Sequence, residues 1–362
     1  RFAFFSRAVL DIMPFLNFYP EVMHCHDWQA ALAAIYLKTN YCFRQEYQFI
    51  RALFTIHNIE YQGQYSLDIL SSLFDIYGKY QYLVEYNNSI NLMKGAIECC
   101  ERFSTVSPRY AMEIKEPYFA HGLDPIVRRN DFKLCGILNG IDDTGYNPQF
   151  DTHIFANYTP DDMSNKAVNK AELQKMLNLP VRAETPVISM ISRLVSHKGF
   201  DLVLNIIEEL LQSDVQFIVL GTGDSHYEGF FKDLARRYPD KMSAQIMFNN
   251  DLSRKIYAGS DIFLMPSKSE PCGLSQMIAC RYATIPIVRE TGGLYDSIKP
   301  LYNGYTFANY NAHDMLYVIR EAVEDYQNKE VWSQLMYRAA TSDFSWKNSA
   351  KQYEALYLSM LK

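Results

Sequence analysis

Short apolar runs alternate with longer amphipathic segments through the first 140 residues of the chain. The predicted strands are EVMHCH (21–26), ALFTIHN (52–58), FSTVS (103–107) and LCGILNG (134–140). The predicted helices are SINLMKGAIECCE (89–101) and DWQAALAAIYLK (27–38), which Asp27 is expected to cap. Strands that alternate with helices in this way are typical of βαβ units, in which the strands pair in parallel. The pattern predicts half of a doubly wound sheet.

The same alternation starts again near residue 186. Its predicted strands are PVISMIS (186–192), VQFIVLG (215–221), SAQIMF (243–248), DIFLMP (261–266) and TIPIVR (284–289). Helices are predicted between them at 199–212, 226–238, 251–258 and 273–281, and after them at 311–327, 330–340 and 346–361. Between the two cycles, ANYTPDDMSNKAVNK (156–170) is polar and rich in turn residues, which predicts an interdomain linker.

These patterns predict an α/β protein with two Rossmann-like, doubly wound parallel sheets that face a cleft. Residues 1–160 are expected to form an amino-terminal domain and residues 161–344 a second domain, with a helix at 345–362 packing back on the first. Ligands of such sheets bind at the carboxyl ends of the strands. Residues that follow predicted strands are therefore the candidates for a site.

Composition and charge narrow the function classes. The net charge is −6, which argues against a nucleic-acid-binding protein, and no apolar run approaches the roughly 20 residues of a membrane span. The seven cysteines include no C-x-x-C pair, and their odd number favours reduced thiols in a cytoplasmic protein. We therefore expect no nucleic-acid partner, no membrane partner and no zinc site.

Two cations flank a predicted strand-to-helix junction in SRLVSHKGFD. Arg193 leaves the end of the strand, and Lys198 directly precedes the helix. Both side chains can reach an anion held against the helix amides, and a phosphate or diphosphate has the matching charge. A pair of solvated surface cations would show the same spacing, so the pattern alone leaves both interpretations open.

Two later strand ends also carry unusual loops. In SKSEPCGLSQ, Glu270 follows a strand and Gly273 would let backbone amides approach a ligand, although a lone Glu here also fits a helix-dipole role. In RETGGLYDSI, Gly292 and Gly293 permit close amide contact with phosphate oxygens, and a simple tight turn is the alternative. LGTGDSH lacks the third glycine of the dinucleotide fingerprint and is interpreted as a turn.

Histidine and amide side chains mark two strand ends in the first half of the chain. His26, Asp27, His57 and Asn58 can hydrogen-bond the hydroxyls of a polar ligand, or they can serve the fold alone. Alternation along the strand separates the neighbours in H-C-H onto opposite faces, which argues against a metal site there. The chain has no D-x-D motif, so protein cations and helix ends would have to neutralise a leaving diphosphate. It also has no P-loop and no G-x-S-x-G elbow, which argues against NTPases and α/β-hydrolases.

Together these motifs resemble those of bacterial-type glycogen (starch) synthases, which are retaining glucosyltransferases of GT-B fold that use ADP-glucose. The similarity runs through HCHDWQAALAAIYLK, FTIHNIEYQGQY, TVSPRYAMEI, GILNGID, SRLVSHKGFDLV, PSKSEPCGLSQM, RETGGLYDSI, NGYTFANYNAHDML and FSWKNSAKQYEALY. It implies transfer of glucose from ADP-glucose to the non-reducing end of an α-1,4-glucan, glycogen or starch, without a cofactor or a metal.

The resemblance also implies roles by position. Among the candidate catalytic residues, His57 and Glu270 match residues that contact the donor glucose, whereas Arg193 and Lys198 match the diphosphate-binding pair. Phe248 is expected to stack on adenine. The candidate donor-binding residues are Asp27, Asn58, Asn139, Phe248, Cys272, Gly273, Leu274, Thr291, Gly292 and Gly293.

One departure from the family concerns the amino terminus. The K-T-G-G-L loop and the first strand do not occur in the sequence, which opens without Met, so we expect an incomplete amino-terminal domain and leave the activity of this chain open. Three alternatives stay open. They are a GT-B transferase that uses UDP-glucose or another acceptor, a non-catalytic glucan-binding fragment and, more distantly, a Rossmann dehydrogenase.

Overall fold

Parallel strands organise the chain into two units, which a computed structural model describes over residues 1–362. Unit 1 comprises Arg1–Leu138 and Ser349–Lys362, and unit 2 comprises Asn139–Asn348. Each contains a parallel sheet with helices packed on it, so the predicted α/β class is confirmed. Residues 139–160, which the sequence grouped with the first domain, are part of unit 2. None of the helices has the length and hydrophobicity needed to span a membrane.

Unit 1 contains a main sheet and a small ribbon. Its strands are β1 (Val22–His26), β2 (Arg51–Ile56), β3 (Gln64–Tyr65), β4 (Glu85–Tyr86), β5 (Ser89–Asn91), β6 (Arg102–Thr105) and β7 (Leu134–Gly136). The main sheet is parallel, in the order β1-β2-β6-β7, and the ribbon is antiparallel, in the order β3-β5-β4. The prediction that residues 89–91 begin a helix is wrong, because pairing with β3 and β4 outweighs the local pattern.

Unit 1 has eight α-helices before its carboxyl-terminal segment. They are α1 (Phe2–Asp11), α2 (Met13–Leu16), α3 (Asp27–Thr39), α4 (Ile69–Ser72), α5 (Gln81–Val84), α6 (Leu92–Cys99), α7 (Pro108–Glu113) and α8 (Asp124–Arg129). Among them, α3 and α6 correspond to the two that the sequence predicts. The prediction that Asp27 caps α3 is wrong, because His26 occupies the N-cap position and no side chain caps the helix. Asp27 adopts a φ of 54°, and its carboxylate accepts the backbone N–H of His57 at 2.8 Å.

The sheet of unit 2 has a doubly wound topology. Its strands are β8 (Val187–Ile191), β9 (Gln216–Leu220), β10 (Met242–Gln245), β11 (Ile262–Met265), β12 (Ile285–Arg289) and β13 (Tyr305–Phe307). All pair in parallel, in the order β10-β9-β8-β11-β12-β13. The winding therefore reverses between β8 and β11. A crevice opens at such a reversal, outside the carboxyl ends of the two strands.

Helices cover both faces of this sheet. They are α9 (Ser164–Met176), α10 (Phe200–Leu210), α11 (Ser225–Arg237), α12 (Asn250–Gly259), α13 (Ser275–Arg281), α14 (Gly292–Ser297), α15 (Ala312–Gln327) and α16 (Lys329–Thr341), and a carboxyl-terminal helix (Trp346–Met360) follows. Side chains of β9 alternate between two buried clusters, with Phe217 and Val219 on one face and Ile218 and Leu220 on the other. This alternation explains why β9 is a continuous apolar run in the sequence.

The polar run at 156–170 is not an exposed linker. Its second part forms the start of α9, in which Lys166, Asn169 and Lys170 are buried. The Asn169 amide accepts the backbone N–H of Phe155 at 3.0 Å, and the lysine ammonium groups are hydrogen-bonded within unit 2. Polar composition suggested solvent exposure, but hydrogen bonding allows these side chains to be buried.

Candidate active site

A lysine and a glutamate meet where the winding of unit 2 reverses. Lys198 follows β8, Glu270 follows β11, and the Lys198 Nζ lies 2.6 Å from the Glu270 Oε2. Both side chains are largely buried, at 19% and 9% exposure. Ser267 donates its hydroxyl to the same carboxylate oxygen at 3.1 Å. Two motifs separated by 72 positions in the sequence therefore share one site.

Backbone packing holds the Lys198 loop against the end of β11. Lys198 ends a single 3-10 turn, Ser196–Lys198, and Gly199 continues it with a φ of 79°. A Cβ on Gly199 would lie 2.1 Å from the carbonyl oxygen of Pro266, so only glycine fits. The N–H of Lys268 donates to the carbonyl of His197 at 2.9 Å. These contacts fix the position of the ammonium relative to Glu270.

A third loop packs beneath Glu270. Gly292 has a φ of 44°, and a Cβ there would lie 1.9 Å from the carbonyl oxygen of Glu270. The N–H of Gly293 donates to that carbonyl at 3.2 Å, and Thr291 is fully buried at the N-cap of α14. In this structure the glycines allow the two loops to approach each other, and the N–H of Gly293 is used in that contact.

Two cavities adjoin at the carboxyl ends of these strands. A cavity of about 80 Å³ is lined by Lys198, Glu270, Gly273 and Leu274. A cavity of about 220 Å³ is lined by Arg193 and Phe248, and both cavities share Ile191 and Ser192. Phe248 is 92% exposed, so its ring is free to stack on a flat ligand. The Arg193 side chain is exposed and has no ion-pair partner.

Cys272 sits beside Glu270 but is unsuited to nucleophilic chemistry. It is 6% exposed, and burial raises the pKa of its thiol to about 12 even though the backbone N–H of Asn139 points at the sulfur. A thiol with this pKa stays protonated near neutral pH. The contact does place Asn139, a predicted donor-binding residue, next to Cys272 within unit 2.

The predicted site residues of unit 1 cluster at the carboxyl ends of β1 and β2. His57 is tied to Asp27 through its backbone N–H, and its Nε2 lies 3.0 Å from the Nδ1 of His26. The Asn58 side chain closes a local turn, since its Oδ1 accepts the N–H of Glu60 at 3.0 Å. The structure thus brings His57 and Asp27 together directly.

One residue and one contact near the predicted site residues were missed. Ser267 hydrogen-bonds Glu270, and its position in the turn after β11 was the available indication. The contact between His26 and His57 was also missed, although the alternation in HCHDW places His26 at the end of β1. A period-2 pattern gives the face of a side chain but not its partner on the next strand.

The charges of the unit 2 site suit an anion. Arg193 and Lys198 contribute two positive charges and Glu270 one negative charge, which leaves an excess of one positive charge. Lys198 uses one of its three N–H donors on Glu270, so two remain for a ligand. Such a site can bind a diphosphate and also hold a hydroxyl-bearing group near the Glu270 carboxylate.

Models of two protein families match the chain. The starch synthase catalytic domain matches residues 1–129, and glycosyl transferases group 1 match residues 174–338. The chain is 46% identical to a glycogen synthase of Alkaliphilus metalliredigens, over 99% of this chain and 78% of that protein. It is 47% identical to a glycogen synthase of Clostridium acetobutylicum, over 100% of this chain and 78% of that protein.

The chain is also similar, in sequence and in fold, to a solved structure. The catalytic domain of starch synthase IV from Arabidopsis thaliana, bound to ADP and acarbose, is 34% identical and superposes with a TM-score of 0.89. The match covers 99% of this chain and 77% of that chain.

Proposed function

The chain belongs to the glycogen and starch synthase family of glycosyltransferases, and we propose that it transfers glucose from ADP-glucose to the non-reducing end of an α-1,4-glucan with retention of configuration. Membership of the family confirms the resemblance that the motifs implied. The related starch synthase IV was solved with ADP and acarbose, which supports an adenine nucleotide donor and a glucan-like acceptor. The observation that carries the proposal is the Lys198–Glu270 pair at the reversal of the unit 2 sheet.

Unit 2 is proposed to bind the nucleotide part of the donor, and unit 1 to serve the acceptor side. Arg193 and the two unused N–H donors of Lys198 bind the diphosphate. Phe248 stacks on the adenine in the cavity of about 220 Å³. Thr291, Gly292 and Gly293 support this site through the loop under Glu270.

The glucosyl group is proposed to contact a separate set of side chains. Glu270 accepts hydrogen bonds from hydroxyls of the donor glucose. The family resemblance assigns His57 of unit 1 to the donor glucose as well. Cys272, Gly273 and Leu274 adjoin Glu270, and Asn139 adjoins Cys272. These residues complete the proposed donor-binding set, together with Asp27 and Asn58 of unit 1.

In the proposed reaction, the bond between the glucose C1 and the diphosphate oxygen breaks as a hydroxyl oxygen of the acceptor bonds to C1. The proton of that hydroxyl passes to the departing phosphate oxygen on the same face of the sugar, which retains configuration. Arg193 and Lys198 stabilise the negative charge that develops on the diphosphate. The sequence lacks the D-x-D motif, and no second carboxylate is placed as a nucleophile, which favours this route.

A labelled-transfer assay tests the proposal. The chain is incubated with glycogen and either ADP-[14C]glucose or UDP-[14C]glucose, and the product is digested with β-amylase, which removes α-1,4-linked maltose from non-reducing ends. We expect kcat/KM with ADP-glucose to exceed that with UDP-glucose by about 10-fold or more, with the label recovered in maltose. Faster transfer from UDP-glucose would overturn the donor assignment. Co-sedimentation with glycogen without any ADP release would instead support a non-catalytic glucan-binding chain.

A further inference from the structure

Three histidines lie side by side in unit 1, two on β1 and one directly after β2. His24 and His26 are two positions apart on β1 and so share a face, and His57 follows the neighbouring strand β2. The ring centroids of His24 and His26 are 4.1 Å apart, and those of His26 and His57 are 5.2 Å apart. His26 is thus the central ring of a row that ends at the proposed sugar contact.

Hydrogen bonds fix His24, at one end of this row. The Nδ1 of His24 is hydrogen-bonded to the hydroxyl of Tyr357 at 2.8 Å, and its Nε2 to the hydroxyl of Thr55 at 2.6 Å. Thr55 in turn shares a 2.6 Å hydrogen bond with Ser104 on β6. The His24 ring is therefore held from the carboxyl-terminal helix and from the sheet, and it provides a fixed surface for the His26 ring.

His57 is held by two successive residues, His26 and Asp27. Its Nε2 is hydrogen-bonded to the His26 Nδ1 at 3.0 Å, and its backbone N–H donates to the Asp27 carboxylate at 2.8 Å. Asp27 orients the backbone of His57. Only His26 engages the ring, so His26 decides which ring nitrogen remains available to a ligand.

The charges around His26 favour its neutral form. Partial desolvation, and then the neighbouring His57, lower the pKa of His26, while Asp27 partly opposes them. Burial, followed by His26 and His57, lowers the pKa of His24 to about 3. Tyr353 and Tyr357 face His24 from the carboxyl-terminal helix. A neutral imidazole has one donor and one acceptor nitrogen, so the tautomer of His26 determines the tautomer of its partner.

We propose that His26 is a positioning residue, which holds the His57 ring in one orientation and one tautomer through the Nδ1–Nε2 hydrogen bond. This inference rests on the proposed function, in which His57 contacts the donor sugar. His26 is itself exposed, so its ring contributes little to the core. Its removal should therefore affect catalysis far more than stability.

Three substitutions of His26 separate positioning from a structural role. Asn places an amide near the position of Nδ1, Gln places it near that of Nε2, and Ala removes the polar group. We expect kcat to fall about 10- to 100-fold in His26→Ala and His26→Gln, and to recover to within about 3-fold of the wild type in His26→Asn, at nearly constant KM. Equal losses in the Asn and Gln variants, or losses only in proportion to thermal stability, would overturn the proposal.

A second measurement is independent of turnover. The 15N shifts of the His57 ring report which nitrogen carries the proton, and we expect one tautomer in the wild type and in His26→Asn but a mixture in His26→Ala. An unchanged tautomer in all three would overturn the proposal. His57→Ala provides the reference. If it retains full activity, the proposed role of His57 fails, whereas a large loss there with none in His26→Ala means that only the positioning role fails.

Discussion

Two lysine–carboxylate clusters lie at the two ends of the unit 2 strands, which are called the carboxyl edge and the amino edge of the sheet. The carboxyl-edge cluster consists of Arg193, Lys198 and Glu270, which follow β8 and β11. The amino-edge cluster consists of Lys166, Lys170 and Asp261, and Asp261 directly precedes β11. Each cluster has two basic side chains and one carboxylate, and each has one lysine–carboxylate pair in contact, at 2.6 Å for Lys198–Glu270 and 2.8 Å for Lys170–Asp261.

The clusters differ in how many N–H donors they leave unused. Lys166 donates to the carbonyls of Ala258 and Tyr282 and to the hydroxyl of Thr284. Lys170 likewise has three partners, the carbonyl of Ala183, the hydroxyl of Tyr326 and the carboxylate of Asp261. An ammonium group has three donors, so both amino-edge lysines are saturated, whereas Lys198 has one partner. Unused donors therefore distinguish the proposed binding site from the amino-edge cluster.

Cavity size favours the amino edge and not the edge of the proposed site. The amino-edge cluster borders a cavity of about 420 Å³, which is larger than the cavities of about 220 and 80 Å³ at the carboxyl edge. Lys166 and Lys170 line it, but they offer no free donor to a ligand. The topology of the sheet and the hydrogen-bond count both favour the smaller cavities.

The largest expected effect is on stability, at the amino edge. Replacing Lys170 by Met leaves the Asp261 carboxylate buried, with the N–H of Val187 as a remaining partner, and should lower the free energy of unfolding by about 3–5 kcal/mol. Urea unfolding followed by tryptophan fluorescence measures this loss. Lys175→Met is the matched control, because Lys175 lies on the same helix in an exposed pair with Glu172 and should cost less than about 1 kcal/mol. Equal losses in the two variants would contradict the comparison.

At the carboxyl edge the largest expected effect is on turnover. Lys198→Met is expected to lower kcat by about 100- to 1,000-fold, because it removes a cation aimed at the developing diphosphate charge. Its free energy of unfolding should fall by about 1–3 kcal/mol, less than in Lys170→Met, because Glu270 stays buried but keeps Ser267 as a hydrogen-bond partner and lines a cavity. The exposed neighbour Lys268 supplies the control, and Lys268→Met should stay within about 3-fold of wild-type turnover. Near-wild-type turnover in Lys198→Met would contradict the proposed role of Lys198 at the diphosphate.

The residues of the carboxyl-edge cluster could be predicted from the sequence because they directly follow predicted strands. Parallel strands bring their carboxyl ends to one edge, so a pattern that located β8 and β11 also placed Lys198 and Glu270 together. The pattern could not show which N–H donors remain unused, or that the Asp27 carboxylate accepts the backbone N–H of His57. Both depend on tertiary contacts.

The amino-edge cluster was not predicted from the sequence, and the reason is physical. Lys166 and Lys170 fall in a polar run that was interpreted as a linker, whereas the structure buries them against Tyr282 and Asp261. The buried residues of α9 and the turn after it, Lys166, Asn169, Lys170, Leu173, Gln174 and Leu177, follow the helical spacing of three and four. That spacing is visible in the sequence only when polar residues are allowed at buried positions, which hydropathy does not do.

The smallest expected effect is a pH dependence of stability at the amino edge. Burial lowers the pKa of Lys166 from 10.5 to about 7, the attraction of Asp261 opposes that shift, and the repulsion of Lys170 adds to it. Between these two values the unfolded chain binds more protons at this residue than the folded chain does. The free energy of unfolding should therefore rise with pH above about 7, and below about 7 this contribution should level off because both states are protonated.

Lys166→Met tests this dependence, because the variant lacks the titrating group. Its free energy of unfolding is compared with that of the wild type by urea titration at pH 7, 8 and 9, the range in which the two protonation states differ. We expect the free energy of unfolding of the wild type to increase, relative to that of the variant, by up to about 1.4 kcal/mol per pH unit. Parallel curves would mean that Lys166 keeps its proton when buried. Its three hydrogen-bond acceptors would then outweigh the loss of hydration, and the amino-edge cluster would retain both of its positive charges.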